Sequence, residues 1–329
     1  MSIPRKSYQH PLISARTMDW SVKLPTSIDF VPRGQAFPEI RESGEMEWEN
    51  KLAFIGAGLK SLKPGWDTLY YWDGLNEAGL SIASLFLGCS EYPEPPSSTT
   101  LLSNINVVAY VLGNFKNLKE VETGLTKLTI IKNTSFEDSY HYIIRDLSGN
   151  HLIVEFINGK MRTYKTPLGV LTNDPPYKWH LENLSLYEHL TLEDKCNAIC
   201  GFEIAGSGQL GIPGDPTPQS RFVRAAFLQQ TAFLPKNLQQ SIGVARQILQ
   251  TLSVPVGTVY LRKYEGFYNW TQWSVLRDHT NLSYYFYTDF NSNLYGTHFH
   301  KLDLNAPNKV KFNITQSDWY QDITNIKKF

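Results

Sequence analysis

Ala15-Arg16-Thr17-Met18-Asp19-Trp20 follows a strand-like run, Leu12-Ile13-Ser14-Ala15, close to the chain's N-terminus. Arg16 is a permanent cation. Asp19, three residues on, is a carboxylate. So close to a terminus, such a pair can organise a terminal α-amine and a nucleophile beside it. Working outward from this stretch decides how the rest of the chain is read.

The chain has 329 residues, 42% of them hydrophobic and 13% aromatic, enough for one large β-rich domain. A single domain over residues 1–329 is expected, with residues 1–9 irregular. Lys+Arg and Asp+Glu both number 31. No basic field is available for nucleic acid or an anionic membrane, so neither partner is expected. Three cysteines, Cys89, Cys196 and Cys200, form an odd set that argues against a disulfide framework. Cys196 and Cys200 share a helical face, but no histidine or second pair at zinc spacing accompanies them, so no metal is expected. No apolar run approaches the ~18 residues of a membrane span. Met1 to Gln9 lacks the apolar core of a signal peptide, so the expected compartment is the cytoplasm.

Short β-branched and aromatic runs fill the first third. Residues 28–31, 52–55, 69–72 and 80–87 read as strands, with turn chemistry at Asn76-Glu77-Ala78-Gly79. Val107, Val108, Val111, Leu112, Phe115, Leu118 and Val121 recur at helical spacing, predicting one helix from a Ser103 cap to about Gly124. A hairpin is expected over 142–156, turning at Ser148-Gly149-Asn150. Helices follow at Ser220–Phe227 and about Leu238 to Leu252. Strands return near 284–287 and 297–299. Strand clusters separated by long helices suggest stacked layers rather than alternating βα units.

Four segments, in order, carry a family resemblance. The first holds Arg16 and Asp19 and runs on to Phe30-Val31-Pro32-Arg33-Gly34. The second is Asp73-Gly74-Leu75-Asn76-Glu77-Ala78-Gly79-Leu80. The third is Leu171-Thr172-Asn173-Asp174-Pro175. The fourth is Leu210-Gly211-Ile212-Pro213-Gly214-Asp215, running into Ser220-Arg221-Phe222-Val223-Arg224. Together they resemble the choloylglycine hydrolase family, which includes conjugated bile acid hydrolases and penicillin V acylases. The resemblance spans most of the chain. It implies an α+β fold, the four-layer αββα sandwich of N-terminal nucleophile hydrolases, with two stacked, mostly antiparallel sheets and the first strand missing or irregular. It implies hydrolysis of linear amide C–N bonds in small N-acyl compounds, with no cofactor, and a homo-oligomer, a tetramer in the family.

By that resemblance, a terminal α-amine is the general base for its own side-chain nucleophile, since such an amine titrates near neutrality. Arg16 matches the cation that favours a thiolate. Asp19 matches the carboxylate that orients the amine. Asn173 matches the oxyanion donor, although an Asn before Asp-Pro is also a good turn residue. Arg221 matches a second stabilising arginine, with Arg224 competing for the assignment. A backbone N–H near Phe86 is the other expected oxyanion donor, and Trp20 and Phe86 are candidate substrate walls. Asn76 and Gly79 read as turn formers rather than catalytic groups.

The family's nucleophile is a cysteine one strand upstream of Arg16, and no cysteine stands there in this chain. Three readings stay open. In the first, the chain lacks its leading strand. In the second, Ser2, exposed by removal of Met1, serves as a weak substitute, against the poor strand pattern around Pro4. Or the chain is a catalytically inactive protein that binds acyl or steroid amides. Little or no amidase activity is expected of the chain as written.

Overall fold

The computed structural model describes residues 11–61, 68–95, 100–136, 138–194, 204–262 and 266–322. Ser2, Cys196 and Cys200 lie outside them. The strands of the first part are β1 (Ile13–Trp20), β2 (Thr26–Val31), β3 (Ala36–Phe37), β4 (Trp48–Glu49), β5 (Phe54–Lys60), β6 (Thr68–Asn76), β7 (Ser81–Phe86), β8 (Thr100–Ser103) and β9 (Leu128–Ile131). Those of the second part are β10 (Tyr140–Arg145), β11 (His151–Ile157), β12 (Lys160–Thr166), β13 (Val259–Tyr260), β14 (Tyr268–Asp278), β15 (Ser283–Thr288), β16 (Tyr295–His298) and β17 (Val310–Asn313). The α-helices are α1 (Val107–Asn114), α2 (Leu118–Leu125), α3 (Tyr177–Leu184), α4 (Pro218–Thr231) and α5 (Leu238–Leu252).

Two antiparallel sheets form the centre. An eight-stranded sheet runs β12-β11-β10-β7-β6-β5-β2-β17, and a five-stranded sheet runs β1-β14-β15-β16 with β13 on β14. Central strands such as β2, β6 and β11 are buried at nearly every position, because successive residues face opposite ways and each face of the sheet meets another layer. Helix α1 packs on β6 and β7, and α5 packs on β1 and β14 with α4 beside it. The order is therefore helix, sheet, sheet, helix, as expected. Ile13 and Ala15 of β1 pack with Ile242, Ala245 and Leu249 of α5.

Charge also joins the sheets. Asp73 on β6 is fully buried. It accepts hydrogen bonds from Arg277 Nη1 on β14 at 2.7 Å and Tyr284 Oη on β15 at 2.8 Å. A buried carboxylate is tolerated only when paired in this way. The rest of that second motif is structural too. Gly74 lets α1 approach, for a Cβ there would lie 2.4 Å from Leu112 Cδ1 and 2.8 Å from the Ile55 carbonyl oxygen. Asn76 Oδ1 accepts from the Ala78 and Leu80 N–H groups, and Gly79 turns at φ 78°.

Asn76 also explains the largest departure from the sequence reading. The single helix expected over 103–124 is two, because the chain is extended at Phe115. Asn76 Nδ2 donates to the Leu112 and Phe115 carbonyls at 2.9 and 2.8 Å, satisfying groups that the break releases. Helix α2 restarts on Asn117, whose side chain caps the Glu120 N–H. Ser103 makes no side-chain cap. Helix α4 likewise starts earlier than expected, with Thr217 as N-cap and Pro218 in the first turn. The strand expected at 52–55 begins at Phe54, since Leu52 bonds to the Gly113 carbonyl instead. Helix α3 and strands β12 and β14 were not anticipated.

Candidate active site

Strand β1 carries Arg16 and Asp19 at odd spacing, so they leave opposite faces of the strand. Arg16 turns inward between the sheets. There β6 and β7 have stopped pairing, their ladder ending at Asp73 and Ala83. Arg16 Nη1 fills the gap, donating to the Trp72 carbonyl at 3.2 Å and the Ser84 carbonyl at 2.9 Å. Its Nε holds the Thr17 carbonyl at 3.0 Å, and the guanidinium lies 5.4 Å from the Trp273 ring centroid. Burial lowers its pKa, an effect partly offset by Asp73.

Asp19 turns toward the helices. Its Oδ2 meets Arg221 Nη1 at 2.9 Å, and its Oδ1 accepts from Thr271 Oγ1 at 2.5 Å. Arg221, in the first turn of α4, also donates from Nη2 to Asn173 Oδ1 at 2.8 Å and from Nε to the Pro216 carbonyl at 3.0 Å. One guanidinium thus bridges the first and third motifs. Arg224 is settled as structural: its guanidinium holds the Pro213, Asp215 and Thr251 carbonyls.

Asn173 is held from every side. Its Nδ2 donates one hydrogen to the Phe86 carbonyl at 2.9 Å, leaving the amide's second hydrogen for another acceptor. His180 Nε2 bonds the Asn173 carbonyl at 2.9 Å. Thr172, just before, has its carbonyl on His141 Nε2 at 2.8 Å, and His141 Nδ1 meets the buried Glu155 at 2.9 Å. Asp174, just after, accepts the Gly88 and Cys89 N–H groups at 2.8 and 3.0 Å. The sequence reading missed this support and also missed Thr271. The aromatic, β-branched run Tyr268–Leu276 carried the signal for the strand that presents Thr271.

Arg16, Asp19, Asn173 and Arg221 all line one cavity of about 270 Å³. Its walls are aromatic and apolar, with Met18, Trp72, Phe136 and Tyr140 among them. Trp20 and Phe86 stand edge to face at its mouth, ring centroids 6.2 Å apart. A second, open groove of about 670 Å³ continues from the same mouth.

Cys89 is exposed beside this site and in no disulfide. Desolvation and neighbouring Asp174 push its thiol up to about 11, which keeps it protonated and a poor nucleophile near neutrality. Among the described residues no cluster of three or more His, Cys, Asp or Glu is placed to hold a metal ion. Nor is any described helix long and apolar enough to cross a membrane.

The profile of the linear amide C–N hydrolases, choloylglycine hydrolase family, matches residues 2–312. The chain belongs to that family. It is 30% identical over 321 residues to a bile salt hydrolase/transferase from Clostridium perfringens, an alignment covering 92% of this chain and 93% of that one. Among solved structures, a variant of conjugated bile acid hydrolase from Clostridium perfringens superposes with a TM-score of 0.84 at 26% identity, covering 98% of this chain and 99% of the other. Penicillin V acylase from Agrobacterium tumefaciens superposes at 0.77 and 26% identity, covering 94% and 89%. For this member of the choloylglycine hydrolase family, the helix–sheet–sheet–helix order and both large antiparallel sheets agree with those neighbours.

Proposed function

We propose that the site binds a small N-acyl amide and that its chemistry is hydrolysis of the linear amide C–N bond. The observation that carries this is Arg221, which ties Asp19 to Asn173 where the aromatic cavity opens. Family membership supplies the reaction class. Asp19 spends lone pairs on Thr271, Arg221 and Thr17, and the one that remains suits a terminal ammonium. The free hydrogen of the Asn173 amide suits a tetrahedral oxyanion, a donor whose loss costs ~100–1,000-fold in kcat. Arg16 supplies positive charge from between the sheets. Ser2 is the weak candidate for the nucleophile, lying outside the described residues.

A second reading, binding without cleavage, is favoured by Cys89: the only cysteine among the described residues is held protonated and has no terminal amine to activate it. Hydrolysis of penicillin V and glycodeoxycholate by the 329-residue chain, with Ser2→Ala and Asn173→Ala beside it, separates the two. Turnover abolished by Ser2→Ala makes Ser2 the nucleophile. Turnover that ignores Ser2→Ala but falls at least 100-fold in Asn173→Ala keeps the oxyanion role with another nucleophile. Binding without turnover supports the second reading. Turnover indifferent to Asn173→Ala overturns the site assignment. A homotetramer is part of the same proposal, and the exposed Leu181, Leu186 and Leu210 suit a subunit interface. Light scattering after size exclusion tests it.

A further inference from the structure

The side of the five-stranded sheet away from β1 carries a pair of imidazoles that the amide site does not use. His298 ends β16, and His300 lies in the short 3-10 turn that follows it. Phe299 between them is buried, its ring centroid 6.3 Å from that of Phe30, and its N–H donates to the Leu282 carbonyl at 3.0 Å. Its own carbonyl accepts from the Leu302 N–H at 3.0 Å. The backbone is therefore pinned between the two histidines, whose rings meet outside the core with centroids 5.4 Å apart. Neither histidine lines the inner cavity or the outer groove.

His298 is oriented as a metal ligand would be. Its Nδ1 lies 2.7 Å from Ser283 Oγ. The single proton of that hydroxyl goes to the Asn281 carbonyl at 3.1 Å, so Ser283 accepts and His298 donates. The proton is thereby fixed on Nδ1 and a lone pair is left on Nε2, the arrangement that an outer hydrogen bond gives metal-bound histidines. Burial lowers the His298 pKa, Lys301 and His300 add to this and Asp278 opposes it, so the ring is uncharged near neutrality. His300 is exposed, and no hydrogen bond holds its ring among the described residues. The separation fits a chelate. An ion about 2.0–2.1 Å from each imidazole nitrogen lies about 3.2 Å from each ring centre, so at a tetrahedral angle the centres stand about 5.2 Å apart. The two rings here are 5.4 Å apart and tilted by 32°. A small turn of the unrestrained His300 ring closes the difference.

We propose that His298 and His300 bind one divalent transition ion of the class that imidazole suits, Cu2+, Ni2+ or Zn2+, with water filling its other positions. Two neutral nitrogens offer nothing to Mg2+ or Ca2+, which take oxygen ligands. Two protein ligands fall short of the set that closes a structural zinc site, so the ion exchanges freely and affinity ranks Cu2+ above Ni2+ and Zn2+. Once bound, the ion ties the end of β16 to the turn after it. The proposal is independent of the amide-site reading above.

Calorimetric titration of the full 329-residue chain with Ni2+, without an affinity tag, tests it. Ni2+ should bind, and Mg2+ in large excess should not displace it. His300→Ala, at an exposed position, should weaken Ni2+ by about tenfold or more, and Ser283→Ala, which releases the His298 ring, by about tenfold. His189→Ala, at another exposed imidazole, should leave the affinity unchanged. Pulsed electron-spin spectra of the unmodified chain with one equivalent of Cu2+ should show two coupled imidazoles, a readout that needs no variant. Ni2+ affinity indifferent to His300→Ala, or no Ni2+ binding at all, overturns the proposal. So does a Cu2+ spectrum with no more than one imidazole.

Discussion

Replacing Arg221 by Gln should destabilise the fold as well as the site, and the size of the effect can be worked out. The Arg221 and Asp19 side chains are only 11% and 9% exposed, with 2.9 Å between charged atoms. Removing one partner of such a pair leaves a nearly buried carboxylate supported by Thr271 and, at 3.3 Å, Thr17. Breaking a buried pair costs about 3–5 kcal/mol, and the residual exposure and the two hydroxyls place this one at the low end, ~3 kcal/mol. Unfolding entropy near 2.1 cal/mol/K per residue gives about 0.7 kcal/mol/K for a chain of this length, so Tm should fall by about 4 °C. Asp19→Asn should cost a similar amount. The double variant should cost clearly less than the sum, with a coupling of about 2 kcal/mol. Urea unfolding of the four proteins in the cycle is the assay. Single-variant losses below about 1 kcal/mol with no coupling would falsify the claim that this bridge is shielded from solvent.

His141 should matter through the Asn173 loop. Its imidazole joins buried Glu155 to the Thr172 carbonyl, so His141→Ala should cost roughly 3 kcal/mol, with His141→Gln recovering part; equal losses in both would contradict the linking role. Cys89, held up to about 11, should alkylate with iodoacetamide at pH 8 at least tenfold more slowly than a free-cysteine peptide, and Asp174→Asn should speed it. Peptide mapping reads that site alone; a rate matching the free peptide would contradict the assignment. Acid sensitivity should come from histidines buried as the neutral form. His279 is held well below its usual value by desolvation, with Nδ1 on the Gly79 carbonyl and Nε2 on Ser14, and burial takes His151 down to about 2. Below about pH 6.5 the unfolded chain takes up these protons and the native chain does not. Stability is therefore present above that pH and lost below it, by ~1.4 kcal/mol per pH unit for each histidine. Urea midpoints that stay flat from pH 6.5 to 5.5 would count against it.

Much of the fold was legible because burial imposes a period. Helix α5 was placed at Leu238–Leu252 as found, since its apolar residues repeat at helical spacing and Asn237 caps it. The hairpin turning at Gly149 was legible from turn chemistry. What local pattern could not show was the break at Phe115. Residues 107–121 keep helical spacing across it, and the partner that satisfies the released carbonyls is Asn76, over 35 positions away. The same residue type that reads locally as a turn former also serves as a long-range cap. Strand β14 escaped for a different reason. Its polar positions Thr271 and Gln272 interrupt the apolar run because they face the site and the Trp20 and Val22 carbonyls rather than the core.

The site shows how motif order and geometry divide the work. Arg16 and Asp19, three residues apart, suggest an adjacent ion pair; in the strand they leave opposite faces and hold different partners. What brings the carboxylate to the centre is Arg221, 202 positions later, and only the sheet-and-helix layering makes that contact. Arg221 and Arg224, also three apart, cannot be told apart by composition. A helix turns 3.6 residues per turn, so they sit about 60° apart on the α4 surface. One reaches Asp19 while the other closes the Pro213–Asp215 turn that sets where α4 begins. Swapping their roles would leave that turn without its donor and the Asp19 carboxylate without its charge. The fourth motif therefore needs both arginines, one to build the helix entrance and one to project from it.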